Sequence, residues 1–200
     1  PPPAPLPPLG VDHIARFNYP YGDGGAAYAK AHAAYKAKPR DWGAVRAGCE
    51  AAIAKDPNHL DAQYLLGVAL AQGGDPAGAA DHLALALAGD YFAYAAGLGS
   101  DEDLAGFRAT QKGTETAQLA TRIAAAYAQL AETGLWVVGR RSPFKWPSND
   151  GVRYDAPRGE LYAYDRARKR FVRLTHTEHE VAGFVRAPGS GEVAILGFDK

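Results

Sequence analysis

The stretch "RDWGAVRAGCEAAIAKDPNHLDAQ", residues 40–63, is matched 34 positions later by "GDPAGAADHLALALAGDYFAYAAG", residues 74–97. Asp41 in the first stretch aligns with Asp75 in the second. A fixed period of this length indicates helical hairpins that repeat along the chain, each packing against the next. We therefore predict that the first two thirds of the chain are helical.

Each unit also carries signals for the ends of its helices. The two aligned aspartates can accept hydrogen bonds from the first backbone amides of a helix, and Pro76 suits the first helical position. Pro57 ends the helix before it, because proline cannot donate a backbone hydrogen bond. We predict a first unit over residues 26–59 and a second over residues 60–92. Their apolar stripe at helical spacing consists of Ile53, Leu65, Leu66, Leu83 and Leu85.

Residues 26–93 resemble the tetratricopeptide repeat family. The resemblance rests on the 34-residue period, on Leu66-Gly67 and on the turn at Gly74-Asp75. It implies a concave groove, lined by the first helix of each hairpin, that holds a peptide or a partner protein. By alignment the groove is lined by Lys30, Ala34, Lys38, Asp61, Tyr64, Val68 and Gln72.

Some members of this family grip a partner's terminal carboxylate with a fixed set of lysine, asparagine and arginine side chains. Here Ala34 and Leu65 occupy positions where asparagine is needed, so the resemblance does not extend to that activity. With only two repeats the groove is short, and its ligand could also be another part of the same chain.

The 34-residue period ends after Phe92. The segment "SDEDLAGFR", residues 100–108, is similar to the closing segment after the last repeat in some bacterial tetratricopeptide proteins. We predict that it is a loop that caps the stack. A long amphipathic helix is predicted to follow, from about Thr114 to Glu132.

From Leu135 onwards the pattern changes to that of strands. "LWVVGRR" predicts one strand, and four more are predicted at residues 161–165, 170–175, 180–188 and 192–200, forming two hairpins. The chain is therefore predicted to have an α+β fold in three parts. These are a proline-rich tether and arm (residues 1–25), a helical domain (26–134) and an antiparallel β segment (135–200).

The order "LYAYD…RFVRLT" followed by "EVAGFVRAPGSGEVAIL" resembles the β-propeller blades of the periplasmic translocation protein TolB and of WD40-like proteins. A propeller needs at least four blades of about four strands each. The 66 residues from Leu135 to Lys200 cannot close one, so the resemblance implies an incomplete propeller and favours a fragment of a longer protein. In the loop between the modules, Phe144 and Trp146 are expected to pack across the domain interface.

The charges limit the choice of partners. Lys and Arg total 22 against 22 Asp and Glu, so no overall field draws the chain to nucleic acid or to an acidic membrane. No apolar run is long enough to span a bilayer. The opening "PPPAPLPPLG" is typical of a tether after a cleaved signal, which favours a periplasmic or envelope location over a cytoplasmic one.

Two further motifs and the single cysteine are predicted to have no catalytic or metal-binding role. In "HTEHE", His176 and His179 are three apart, a spacing that brings two side chains together only in a helix, and this stretch follows a strand. We therefore predict no metal site there. The basic "RARKR", residues 166–170, is predicted to be an exposed hairpin turn, with phosphate or nucleic-acid contact as the alternative. Cys49 is predicted to be a buried apolar residue.

No catalytic or cofactor-binding motif is recognisable in the sequence. We expect a non-catalytic scaffold, without a cofactor, that binds a protein or peptide partner. Two alternatives stay open. The chain could be the N-terminal part of a larger enzyme such as a propeller-containing peptidase, or a self-contained structural protein whose groove is filled by its own N-terminal arm.

Overall fold

The protein is described by a computed structural model that covers residues 5–12, 14, 24–140, 159–176, 180–187 and 192–198. Helices come first and strands follow, so the predicted α+β class is confirmed. The described α-helices are α1 (Gly25–Lys36), α2 (Trp42–Lys55), α3 (Leu60–Gln72), α4 (Pro76–Gly89), α5 (Tyr91–Ser100), α6 (Ala105–Arg108) and α7 (Gln111–Thr133). A 3-10 turn, Glu102–Leu104, joins α5 to α6.

Helices α1 to α4 form two hairpins whose ends repeat in the structure as in the sequence. The Asp41 carboxylate accepts a hydrogen bond from the Ala44 amide at 2.9 Å, and Asp75 accepts one from Gly78 at the same distance. Both predicted N-caps are confirmed, as is Pro76 in the first turn of α4. The hairpin α3–α4 is tight because a side chain on Gly67 would approach Leu83 to 2.7 Å.

The segment after the second hairpin differs from the prediction. The predicted loop, residues 100–108, contains the 3-10 turn and the short helix α6, and it is preceded by a helix that was not predicted, α5. The Asp90 carboxylate caps α5 by accepting from the Ala93 amide. Helix α7 begins at Gln111, three residues earlier than expected, since Thr110 provides its N-cap. Leu85 was predicted to belong to the apolar stripe, and this was wrong. It is 41% exposed and lies on the opposite side of α4 from the buried Leu83 and Leu87, two positions away on either side.

The strands form two small antiparallel sheets. They are β1 (Leu135–Arg140), β2 (Gly159–Asp165), β3 (Arg170–Arg173), β4 (Glu180–Arg186) and β5 (Val193–Phe198). The first sheet has the order β1-β2-β3 and the second pairs β4 with β5, so both predicted hairpins are present. The described strands do not close into a barrel or a propeller.

The central strand β2 connects the two sheets to the helices. Its residues 159–163 are buried, and it contacts α7 and β4 as well as its neighbours in the sheet. Leu60 of α3 and Tyr162 of β2 lie in one apolar cluster with Val11 of the N-terminal arm. The helical part, the first sheet and the arm therefore share buried surface.

Candidate functional site

The predicted groove face of α3 is covered by the segment that follows the second hairpin. The Tyr94 hydroxyl of α5 donates to the Asp61 carboxylate at 2.6 Å, and the Tyr64 hydroxyl donates to Asp101 at 3.3 Å. The Gln72 side-chain amide donates to the backbone carbonyl of the 3-10 turn. The polar ends of these three α3 side chains are thus engaged within the chain.

The C-terminal end of α1 and the residues after it form hydrogen bonds with the same 3-10 turn. The Tyr35 hydroxyl donates to Asp103 at 3.0 Å, and the Arg40 guanidinium lies 2.6 Å from both oxygens of that carboxylate. The guanidinium also stacks over the Tyr35 ring, 4.4 Å from its centroid. Burial and the hydrogen bond to Asp103 raise the pKa of Tyr35, so this phenol stays a proton donor. The predicted cap therefore closes one end of the helical face.

The other predicted groove residues do not gather at one surface. Val68 is 1% exposed and packs in the core. Lys30 is exposed but stands two positions from both Tyr28 and His32, which places it on the far side of α1 from those inward rings. Lys38 is exposed beyond the end of α1, and Ala34 is half-buried. That these residues bind a partner stays a prediction.

Two sequence predictions concern residues around the sheets. Phe144 and Trp146 of the interdomain loop lie outside the described residues, as does His179. His176 is exposed at the end of the first sheet. Among the residues that the structure describes, no three His, Cys, Asp or Glu side chains are placed to hold a metal ion.

Cys49 is fully buried on α2, as predicted. Burial raises the pKa of its thiol to about 12, with a smaller contribution from the neighbouring Glu50 charge. A thiol in this environment stays protonated at neutral pH and is a poor nucleophile. Cys49 therefore acts as a small apolar core residue.

A buried ionic network joins the helical part to the first sheet. Arg173 of β3 lies 2.9 Å from the Glu160 carboxylate of β2 and 3.4 Å from the Asp90 carboxylate between α4 and α5. Its Nε atom donates to the Thr175 carbonyl at 2.8 Å, and the Thr175 hydroxyl donates to Glu160 at 2.6 Å. One buried guanidinium thus balances two buried carboxylates across the interface.

Burial raises the pKa of the Asp90 carboxyl, and the positive charges of Arg173 and His176 oppose that rise. Sequence reasoning missed this network, because Arg173 and Asp90 are 83 positions apart and meet only in the folded chain. Both faces of β3 are covered, and Val172 and Arg173 are buried together. The sequence signal was the alignment of Asp90 with Asp56, 34 positions earlier, each ending a helix of the repeat.

The N-terminal arm pairs with the edge of the first sheet. Val11 and Phe171 exchange two backbone hydrogen bonds of 2.8 and 2.7 Å, and the Gly10 amide donates to the Ala88 carbonyl of α4 at 2.8 Å. The Arg170 guanidinium donates to the carbonyls of Leu9 and Gly10. The described arm therefore lies between α4 and β3 and away from the predicted groove.

A wide cleft opens beside this arm, and we call it the arm cleft. Its volume is about 1270 Å³. It lies between arm residues 6–9, the C-terminal half of α7 and the β2–β3 turn, residues 164–170. Leu135, at the start of β1, lines it and is 48% exposed. The arm cleft thus combines an open apolar surface with walls from three separate parts of the chain.

A smaller cleft lies on the other side of α7, and we call it the Phe92 cleft. It has a volume of about 300 Å³ between α5, α7 and the strands. Phe92 and Ile195 line it and are 45% and 44% exposed. Its other walls are aromatic or aliphatic, including Tyr91 and Trp136, with Thr175 as a polar neighbour.

Comparison of the chain with protein-family models, with curated proteins and with solved structures found no match. Among the described residues, no helix is long and apolar enough to cross a membrane.

Proposed function

We propose that the chain is a non-catalytic interaction module that binds a protein or peptide partner in the arm cleft. The observation that carries this proposal is the exposed apolar surface at Leu135 within a cleft whose walls are fixed by long-range contacts. Large exposed apolar surfaces rimmed by polar residues are typical of interaction sites. The cleft is also larger than most small-molecule pockets, which favours a segment of polypeptide.

The walls of the arm cleft are held by specific bonds, which supports a preformed site. Arg170 ties the arm to the β2–β3 turn through the Leu9 and Gly10 carbonyls. The Trp136 indole donates to the Ala131 carbonyl of α7 at 2.7 Å, which holds β1 against that helix. A preformed site loses less conformational entropy on binding than a flexible one.

We also propose that α1 to α4 are two tetratricopeptide-like hairpins. The pairs Asp41 with Asp75 and Asp56 with Asp90, each 34 residues apart and each at a helix end, support it. The propeller relationship of the strands likewise stays a proposal, supported by the two antiparallel hairpins. We place partner binding in the arm cleft and not in the helical groove, because Asp61, Tyr64 and Gln72 of the groove already form hydrogen bonds with the segment after the second hairpin.

A selection from a library of random twelve-residue peptides displayed on phage tests this function. We expect peptides whose binding is lost when Leu135→Ser removes the apolar surface. Leu85→Ser is the matched control, because Leu85 is a similarly exposed leucine on α4. Far-UV circular dichroism and thermal unfolding show whether each variant keeps its fold.

The selection has two results that would overturn the proposal. Peptides that depend on Phe92 and ignore Leu135→Ser would move the site to the Phe92 cleft. A selection without any peptide that is sensitive to Leu135→Ser would favour a second candidate, a purely structural role. A structural role is favoured by the hydrogen bonds from Tyr35 and Arg40 to Asp103, because they cover one end of the predicted groove with residues of the chain itself.

A further inference from the structure

Positive charge gathers at the rim of the arm cleft. The β2–β3 turn contributes Arg166, Arg168 and Arg170 to its lining, against one acidic residue, Asp165. The whole chain carries equal numbers of basic and acidic residues, so this excess is local. A cleft lined by one sign of charge attracts groups of the opposite sign.

The three arginines differ in how far they are already engaged. Arg168 pairs with Asp165 at 2.8 Å, and Arg170 donates to backbone carbonyls of the arm. Arg166 is exposed, and within the described parts of the chain it makes no ion pair with a carboxylate. Its guanidinium is therefore the one in this turn that can meet a carboxylate from a partner.

The surface beside these arginines is aliphatic. Four leucines from the arm, from α7 and from β1 line the cleft, and they are Leu6, Leu9, Leu130 and Leu135. All four keep some exposure to solvent. A ligand that covers them needs aliphatic side chains of its own, and a ligand that meets the rim needs negative charge.

We infer that the arm cleft binds an acidic segment of a partner protein whose carboxylates alternate with aliphatic side chains. This inference rests on the proposed function and names the chemistry of its partner. The carboxylates meet the arginine rim, with Arg166 as the principal contact, and the aliphatic side chains cover the leucines.

Nucleic acid fits the same rim less well. Binding of single strands relies on aromatic rings on which bases can stack. Tyr164 is the aromatic residue in the described lining of the cleft, and its ring packs against Phe171 with the centroids 4.7 Å apart. The cleft therefore offers leucines where a base would need an open aromatic face.

Fluorescence anisotropy with three labelled decapeptides tests the inference on the intact chain. The first alternates glutamate and leucine, the second replaces each glutamate by lysine, and the third replaces each leucine by serine. We expect the first to bind and the other two to bind at least about tenfold more weakly, because each lacks one half of the complementarity. Added salt should weaken binding of the first peptide.

Reversing the charge of Arg166 tests whether the arginine rim binds the peptide's carboxylates. Arg166→Glu should weaken binding of the glutamate–leucine peptide about fivefold to tenfold, because an attraction becomes a repulsion. Lys55→Glu is the matched control, since Lys55 is an exposed cation at the end of α2, outside the cleft and outside the predicted groove. Leu135→Ser should weaken the same peptide, whereas Leu85→Ser should not.

Each alternative result has a defined meaning. Equal binding of the lysine peptide, or binding that ignores Arg166→Glu, overturns the acidic partner. Peptides from the phage selection that depend on Leu135 but carry no acidic residues do the same, and leave the proposed function standing. A single-stranded oligonucleotide, or vesicles of phosphatidylglycerol, that bind through Arg166 where the peptide does not would replace the partner protein by that ligand.

Discussion

Nη2 of Arg173 lies 2.9 Å from Oε1 of Glu160, and the two side chains are only 9% and 4% exposed. Together with the Asp90 carboxylate, this pair places three charges at the boundary between the helices and the first sheet. Charges in such a place are costly to bury and depend on one another.

Replacing Arg173 by methionine should destabilise the protein by about 3–5 kcal/mol, because two buried carboxylates lose their counter-charge. Urea unfolding followed by circular dichroism measures this loss. Arg168→Met is the control, since Arg168 makes an exposed pair with Asp165 that should contribute less than about 1 kcal/mol. If both variants lower the free energy of unfolding by a similarly small amount, the buried network does not contribute substantially to stability.

Acid should destabilise the protein through His59, which caps α3. The His59 Nδ1 atom accepts the Ala62 amide at 3.3 Å, so it carries no proton, and burial lowers the pKa of this histidine below the usual 6.5. Between the lowered value and about 6.5 the unfolded chain binds more protons than the folded one. The free energy of unfolding should therefore fall as pH drops below about 6.5, by at most about 1.4 kcal/mol per pH unit for this group.

The variant His59→Asn keeps a capping side chain but cannot titrate, so it should reduce this pH dependence. Urea unfolding at a series of pH values between neutral and mildly acidic measures the slope. His82→Asn should remove a separate share, because burial also lowers the pKa of His82. An unchanged slope in His59→Asn would assign the acid sensitivity to other groups.

Gly10 should tolerate no side chain. Its φ of +69° is unfavourable for other residues, and a Cβ atom there would lie 2.0 Å from the Phe171 carbonyl oxygen. Gly10→Ala should lower the free energy of unfolding by about 2 kcal/mol. Gly99→Ala is the control, because no atom beyond the chain neighbours and backbone of its own helix lies within 4 Å of the added Cβ, and alanine favours a helix. Equal melting temperatures for the two variants would argue against the close arm contact.

The Cys49 thiol should not react with a thiol reagent such as dithionitrobenzoate while the protein is folded, because it is buried and its pKa is raised to about 12. Full reaction is expected in denaturant. The rate in native buffer should increase in the destabilised variant Arg173→Met, since opening then becomes more frequent. Rapid reaction of the folded wild type would show that α2 does not shield the thiol.

Local signals in the sequence were sufficient for the two hairpins. Asp41, Asp75 and Pro76 act within a few residues, and their roles as helix-end signals are visible without the fold. The strands were found for the same reason, through alternating side chains and turn residues. The helix α5 was missed because its start depends on Asp90, which was not recognised as a cap.

The candidate site could not be predicted in this way, because its parts come together only in the folded chain. The arm cleft joins Leu6, Leu135 and Arg166, which are far apart in sequence. The ionic network likewise pairs Asp90 with a strand residue 83 positions later. The cap's contacts with Tyr35 and Gln72 also span tens of residues, so aligned groove positions did not reveal that they were occupied.

The pairing of the arm with β3 also sets an order of events during synthesis. Gly10 leaves the ribosome before its partner Arg170, which is 160 residues further along the chain. At about 5–20 residues per second, the arm waits on the order of ten seconds before β3 exists. The helical hairpins are held mainly by contacts between helices that follow one another in the chain. They can fold meanwhile, so docking of the arm is expected to be among the last steps of folding.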